Sequence, residues 1–170
     1  MRTRIAALYI HGDRSSRPED AGPTPMLAMP RLDVVEGRGI RQDRRYFRTW
    51  QAGRERKRQV SLIDEGTIRR HEAVFGSIER NLIKSQVILD GDIHLPDLSG
   101  VRLRCEGGAE LEITVERRPC FAMDFIVPGL RDAMQNGEQG ALARVVHGGE
   151  LWVGQTVDIL IESGAGHAAS

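Results

Sequence analysis

Residues 101–116 read VRLRCEGGAELEITVE. Val101, Leu103 and Cys105 alternate with Arg102 and Arg104. After Gly107-Gly108, Ala109, Leu111, Ile113 and Val115 alternate with Glu110, Glu112, Thr114 and Glu116. Successive side chains of a strand point to opposite faces, so period two sorts these residues into an apolar face and a wet one. Two such runs joined by Gly-Gly make a β-hairpin. Its wet face sets Arg102 and Arg104 against the glutamates, a cross-strand match of roughly a few tenths of a kcal/mol per pair. Cys105 falls on the apolar face and reads as a small hydrophobe.

Further short runs of the same kind flank the hairpin. The opening residues 1–13, MRTRIAALYIHGD, form a first strand rather than a leader peptide, since the short apolar run ends at a His and an Asp with no small-residue cleavage site. Ser15, Ser16, Pro18, Gly22, Pro23, Pro25 and Pro30 make residues 12–30 a loop. Residues 33–36 form a short strand closed by Gly37-Arg38-Gly39, and Val60, Leu62 and Ile63 form the next. Asp64 and Glu65 open a helix to Phe75, because acidic groups favour the positive N-terminal end of the helix dipole, and Gly76 stops it. Arg80-Asn81 starts a strand that leads to another at residues 87–89, with a turn at Asp90-Gly91-Asp92. Residues 123–135 read as a helix broken by Pro128-Gly129 and ended by Asn136-Gly137. A strand at 143–146, a turn at Gly148-Gly149 and a last strand with Val157, Ile159 and Ile161 inward complete the pattern. Many strands with few short helices give a mainly β (α+β) class. A closed or nearly closed β-barrel is expected, because closure removes sheet edges. The division is residues 1–30 as N-terminal strand and Pro/Gly-rich loop, 31–162 as barrel domain and 163–170 as a flexible tail.

Composition narrows the classes. The chain has 170 residues, 40% hydrophobic and 28% charged, with zero net charge, an ordinary globular balance. No run of about 18 apolar residues occurs, so a spanning helix is excluded, and the cytoplasm is the expected location. Two cysteines exclude a disulfide scaffold and a four-cysteine zinc site. No zinc, phosphate-loop or dinucleotide motif appears, and no flavin or haem motif. Charge is uneven: residues 1–58 hold 14 basic and 7 acidic residues, and residues 41–58 hold eight basic and two acidic. That basic stretch, with Tyr46, Phe47 and Trp50 interleaved, reads as a surface loop able to meet an anion. The zero overall charge makes nucleic acid an unlikely main partner.

Cys120 stands apart. It follows Glu116-Arg117-Arg118-Pro119 at the exit of the alternating strand. Positive neighbours favour a thiolate, which serves as a nucleophile, a persulfide carrier or a soft metal ligand; the plain alternative is a buried hydrophobe. Arg80 suits a phosphate and Asn81 a polar ring edge, against the plainer reading of a turn-forming Asn beside a surface Arg. The five histidines show no ligand spacing and read as surface or core residues. Asp90, Asp92 and Asp97 are explained by turn chemistry.

Several pieces fall in one order: Gly37-x-Gly39-Ile40-x-x-Asp43-Arg44, Arg58-Gln59-Val60-Ser61-Leu62-Ile63 with Glu65, Arg80-Asn81-Leu82, residues 111–114, Arg118-Pro119-Cys120-x-x-Met123, residues 143–145 with Gly148-Gly149, and Gly154. This set, over roughly residues 30–162, resembles the MOSC family, the domain related to the C-terminus of molybdenum-cofactor sulfurase. The resemblance implies a barrel-like domain with one functional cysteine. In relatives that reduce N-hydroxylated compounds that cysteine ligates molybdenum, and Cys120 holds its place. Other members were proposed to carry sulfur as a cysteine persulfide. The resemblance therefore implies molybdenum cofactor (molybdopterin) bound by Cys120, with Arg44, Arg58, Gln59, Arg80 and Asn81 as cofactor-binding residues; pyridoxal phosphate binding is a further property associated with the family. It implies a molybdenum-dependent oxidoreductase or a sulfur transferase, a small-molecule substrate, and either a separate electron-donor protein or a cysteine desulfurase as partner. A monomer or homodimer is expected. A non-enzymatic polyanion-binding module is the remaining alternative. The chain departs from the family at Gln42, where many members read Gly-Asp-Arg. Reductase relatives also often carry an additional N-terminal domain, and residues 1–30 are too short to be one.

Overall fold

The structure, a computed structural model, describes residues 1–12, 24–46 and 57–161. The expected hairpin forms as β7 (Arg102–Cys105) and β8 (Glu110–Glu116), with Arg104 opposite Glu110 and Arg102 opposite Glu112. On its wet face Arg102 reaches Glu110 at 2.8 Å, and Glu112 is taken by Arg144 at 2.9 Å.

Among the described residues the chain builds β1 (Arg2–Ile10), β2 (Leu27–Ala28), β3 (Arg31–Val35), β4 (Gly39–Ile40), β5 (Val60–Asp64), β6 (Val87–Leu89), β9 (Ala141–His147), β10 (Gly149–Trp152) and β11 (Thr156–Leu160) besides the hairpin. Seven strands run β11-β7-β8-β9-β5-β6-β1, and β1 pairs back onto β11, so the sheet closes. Closure leaves those strands no free edge. A small second sheet, β10-β3-β4, lies apart from the ring order. The 1–30 segment therefore supplies a strand that closes the barrel, and its Pro-rich part contributes β2.

Among the described residues only β5 and β6 pair in parallel. A parallel pair needs a crossover, supplied by helix α1 (Glu65–Phe75). Asp64 caps it: its carboxylate accepts from the Thr67 N–H and the Thr67 hydroxyl, both at 2.9 Å. Gly76, at φ 85°, ends it as expected. The broken helix also appears as α2 (Ala122–Ile126) and α3 (Leu130–Ala133), separated at Pro128-Gly129.

Two hydrophobic clusters follow from strand alternation. Leu62, Val87, Leu103, Leu111, Val145 and Ile159 belong to the larger one, together with Cys105. Ile63 and Ile88 point the other way, into a second cluster with Ile68, Ile83, Met123 and Met134 beneath the helices. β5 and β6 are thus buried on both faces; β6 (VIL) is an unbroken apolar run, while β5 (VSLID) also buries Ser61 and the capping Asp64. Gly140 lets the chain cross close to β5: at φ 82°, an added Cβ would lie 2.1 Å from the Leu62 carbonyl oxygen.

Three sequence expectations are corrected. Arg80–Leu82 is a 3-10 turn and starts no strand, because Arg80 is drawn to the carboxylates of α1. Ile161 is exposed, lying one residue past the last barrel strand. Tyr46 is buried and donates no stacking surface; Arg38 lies 6.0 Å from its ring centre. Phe47 and Trp50, with most of the basic loop, and the 163–170 tail lie outside the described residues.

Candidate functional site

Cys120 is exposed, and it sits on the chain leaving β8. Pro119 before it is buried, and the Cys120 carbonyl accepts the Met123 N–H at 3.1 Å. The sulfur is thus held at the start of a short helical turn whose Met123 side chain is anchored in the second cluster. Phe121 and Phe125 beside it are also exposed and meet edge to face, ring centres 6.2 Å apart.

Arg117 anchors this exit. Its guanidinium donates to the Ser85 hydroxyl at 2.9 Å and the Ile83 carbonyl at 3.2 Å, while its backbone N–H donates to Gly140 O. Burial pushes Arg117 down to about 10; a thiolate at Cys120 would oppose this, and Arg45 pushes the same way as burial. Arg45 also acts on His11, so it lies within electrostatic reach of both Arg117 and His11.

The residues between the 3-10 turn and β6 link the Arg117 exit to Asp43 through hydrogen bonds. Lys84 is buried at φ 67°, a backbone conformation that costs a non-glycine residue roughly 1–2 kcal/mol. Its ammonium donates to the Thr24 carbonyl. Gln86 bonds the Ser61 N–H and donates to Asp43 at 2.7 Å. Asp43 is buried and also accepts from the His11 ring and backbone, both at 2.9 Å, and from the Arg45 N–H at 2.8 Å.

The other expected cofactor residues separate into two groups. Arg80 has all five donors in use: two bonds to Glu65, two to Glu72 and one to the Ile78 carbonyl. Gln59 is buried, and its side-chain oxygen takes the Val145 N–H at 2.8 Å, which binds β5 to β9. The Arg80 donors and the Gln59 side-chain oxygen are thus engaged within the chain. Arg44 is exposed at the mouth of a cleft beside His11, and Arg58 is exposed next to β5. The Asn81 side-chain oxygen is buried with no hydrogen-bond partner among the described residues.

Gln42 bonds the Asp33 backbone and carboxylate through its amide, at 3.0 and 2.9 Å, and does not adopt positive φ. The turn before Asp43 therefore does not require the glycine found in many MOSC members. Sequence reading missed His11, Lys84 and the half-buried anchoring of Arg117. The signal available for His11 was its place beyond a buried strand end. No spacing linked it to Asp43, because the barrel brings them together across 32 positions.

No protein-family model and no curated protein sequence matches the chain. Solved structures do. YuaD from Bacillus subtilis is 22% identical with a TM-score of 0.74, over 94% of this chain and 96% of that one. YiiM from Escherichia coli is 16% identical with a TM-score of 0.65, over 95% and 70%. YiiM from Geobacillus stearothermophilus is 15% identical with a TM-score of 0.69, over 96% and 77%. YuaD and YiiM are MOSC-domain proteins. At these identities the likeness establishes the fold. No helix among the described residues is long and apolar enough to cross a membrane.

Proposed function

We propose, from the MOSC-like fold that this chain shares with YuaD and YiiM, that Cys120 is its working group, as thiolate ligand to a molybdenum cofactor that reduces N-hydroxylated small molecules. The observation that carries the reading is Arg117. A charge taken out of water is costly unless it is paired. A thiolate at Cys120 would favour the charged guanidinium. An anion at this sulfur, whether the thiolate or a ligand on it, completes the pair.

The residues fit the cofactor in part. Cys120 offers an exposed soft donor suited to molybdenum. Arg44 and Arg58 are exposed cations for its phosphate, and the unpartnered Asn81 oxygen would accept from its ring. Arg80 and Gln59 are spent elsewhere and hold the scaffold. When bound, the cofactor supplies a metal centre that takes up an oxygen atom in a two-electron step. The chain's own work is to fix the sulfur, through Arg117 and Pro119, and to balance charge. Electrons come from a separate donor protein.

A second reading is favoured by the loss of Arg80 and Gln59 as grips. A cysteine-persulfide carrier needs only an exposed thiol beside a cation, and takes its sulfur from a cysteine desulfurase. One experiment separates the two. The chain and its Cys120→Ser variant are expressed in a cofactor-competent host and analysed for molybdenum, pterin and mass. Stoichiometric molybdenum and pterin that vanish in the variant support the first reading. A mass gain of one sulfur on Cys120 without metal replaces it with the second. Neither outcome in the wild type removes both.

A further inference from the structure

We propose that His11 and Asp43 form an acid–base site, in which His11 Nε2 takes the proton of a small oxyanion whose charge is met by Arg44 and Lys84. The His11 side chain is 4% exposed and the Asp43 side chain 1%. The carboxylate sits 2.9 Å from Nδ1, so the proton of the neutral ring lies on Nδ1 and a lone pair on Nε2. Nε2 is buried and has no hydrogen-bond partner among the described residues. Buried polar atoms are ordinarily paired, and an exception calls for a missing partner.

The place for that partner is a cleft lined by His11, Gly12, Thr24, Met26, Arg44 and Lys84. Its volume is about 10 Å³, room for about one water-sized group. One oxygen of a ligand enters and the rest stays outside, where Arg44 is exposed. A fully ionised anion would meet the Nε2 lone pair unfavourably. A monoanion that still carries a proton, such as dihydrogen phosphate, gives an O–H to Nε2 and its charge to the two cations.

Among the described residues, the charged groups facing His11 are Asp43 and Arg45 from the 41–46 stretch, Lys84 from the 83–86 stretch and Arg44 at the mouth. The 24–26 stretch brings Thr24, Pro25 and Met26, which carry no charge. Burial lowers the His11 pKa, Arg45 and Lys84 push the same way, and Asp43 opposes them. The free ring is therefore neutral at pH 7. In the proton step the ligand O–H bond breaks, its electron pair stays on oxygen, and an N–H bond forms at Nε2. The imidazolium then lies between Asp43 and the dianion.

The inference shares Arg44 with the reading of Cys120 but needs neither the sulfur nor molybdenum, and the test keeps the two separate. The full chain, with 15N-labelled histidine, is titrated with inorganic phosphate at neutral pH. The His11 Nε2 resonance should move toward the protonated range and saturate at millimolar phosphate, while the other four histidines do not follow that curve. Lys84→Met should weaken binding about tenfold, the loss of one charge-assisted hydrogen bond. Cys120→Ser should bind as the wild type does. An unmoved His11 resonance overturns the proposal, as does undiminished phosphate binding in a folded His11→Gln variant. A response shared by all five histidines shows an adventitious ion only, and overturns it too.

Discussion

Arg117 donates to the Ser85 hydroxyl at 2.9 Å, and this bond ties the strand exit that carries Cys120 to the segment between the 3-10 turn and β6. The guanidinium is a strut, and its charged form would be favoured by a thiolate at Cys120. Replacing it with Met keeps much of the side-chain length and removes both strut and charge. Arg117→Met should slow the reaction of Cys120 with a neutral disulfide reagent at neutral pH by about three- to tenfold. Arg117→Lys should recover part of the rate. Equal rates in all three proteins would show that the cation does not act on the sulfur.

The two cysteines should differ sharply. Cys105 is 3% exposed inside the barrel, and burial pushes its thiol up to about 12. Cys120 is exposed. A thiol reagent should label one group per folded chain quickly and the second only on unfolding. Cys120→Ser should remove the fast phase and change stability by no more than about 0.5 kcal/mol, since the site is on the surface. Fast labelling that persists in the variant would place the reactive sulfur at Cys105 and remove Cys120 from its role.

Arg80 is a structural clamp, and its removal should be felt in folding. Its side chain is 24% exposed, between Glu65 and Glu72 at 13% and 23%. Arg80→Met leaves the two carboxylates facing each other. Partial exposure screens them, so the cost should be about 1–2 kcal/mol by urea denaturation at neutral pH. The bonds to Arg80 hold Glu72 below the usual glutamate range. A depressed carboxylate stabilises the fold above its unfolded pKa, about 4.3, and that gain is lost as pH falls through the lower folded value. The deficit of the variant should thus be largest at neutral pH and shrink in acid. A deficit independent of pH would mean that packing, not charge, is lost.

The barrel was readable because alternation is a local signal: Leu103, Leu111 and Ile113 declare their face within a few residues. The cap at Asp64, the stop at Gly76 and the break at Pro128-Gly129 were readable for the same reason. Arg80 was not, because its partners lie 8 and 15 positions away on a helix face, and an arginine that grips two carboxylates looks in sequence like one awaiting a phosphate. Ring closure was expected as a class, but the role of β1 as the closing strand depends on pairings with β6 and β11 that no local pattern encodes. Cys120 was singled out by its flanking arginines and by resemblance. The convergence of His11, Asp43, Lys84 and Gln86 arises only when the barrel folds.

That convergence should make the protein acid-labile before any ligand is added. The folded His11 pKa lies below its ordinary value, chiefly because of burial. Asp43 is also held low, because the bonds from His11 and Arg45 outweigh the burial that would raise it. In both cases the unfolded chain binds more protons than the folded one within the affected window, so stability rises with pH there. For His11 the window opens below about 6.5, and for Asp43 below about 3.9, the values of the unfolded groups. Urea midpoints should therefore fall as pH drops below about 6.5, with a second decline in strong acid. His11→Gln should erase the first decline and leave the second. Asp43→Asn should cost about 3 kcal/mol at neutral pH, since it strips a buried carboxylate from His11 and Arg45. If the His11→Gln chain keeps the wild-type fall below pH 6.5, another group carries it and the buried imidazole is not the titrating element.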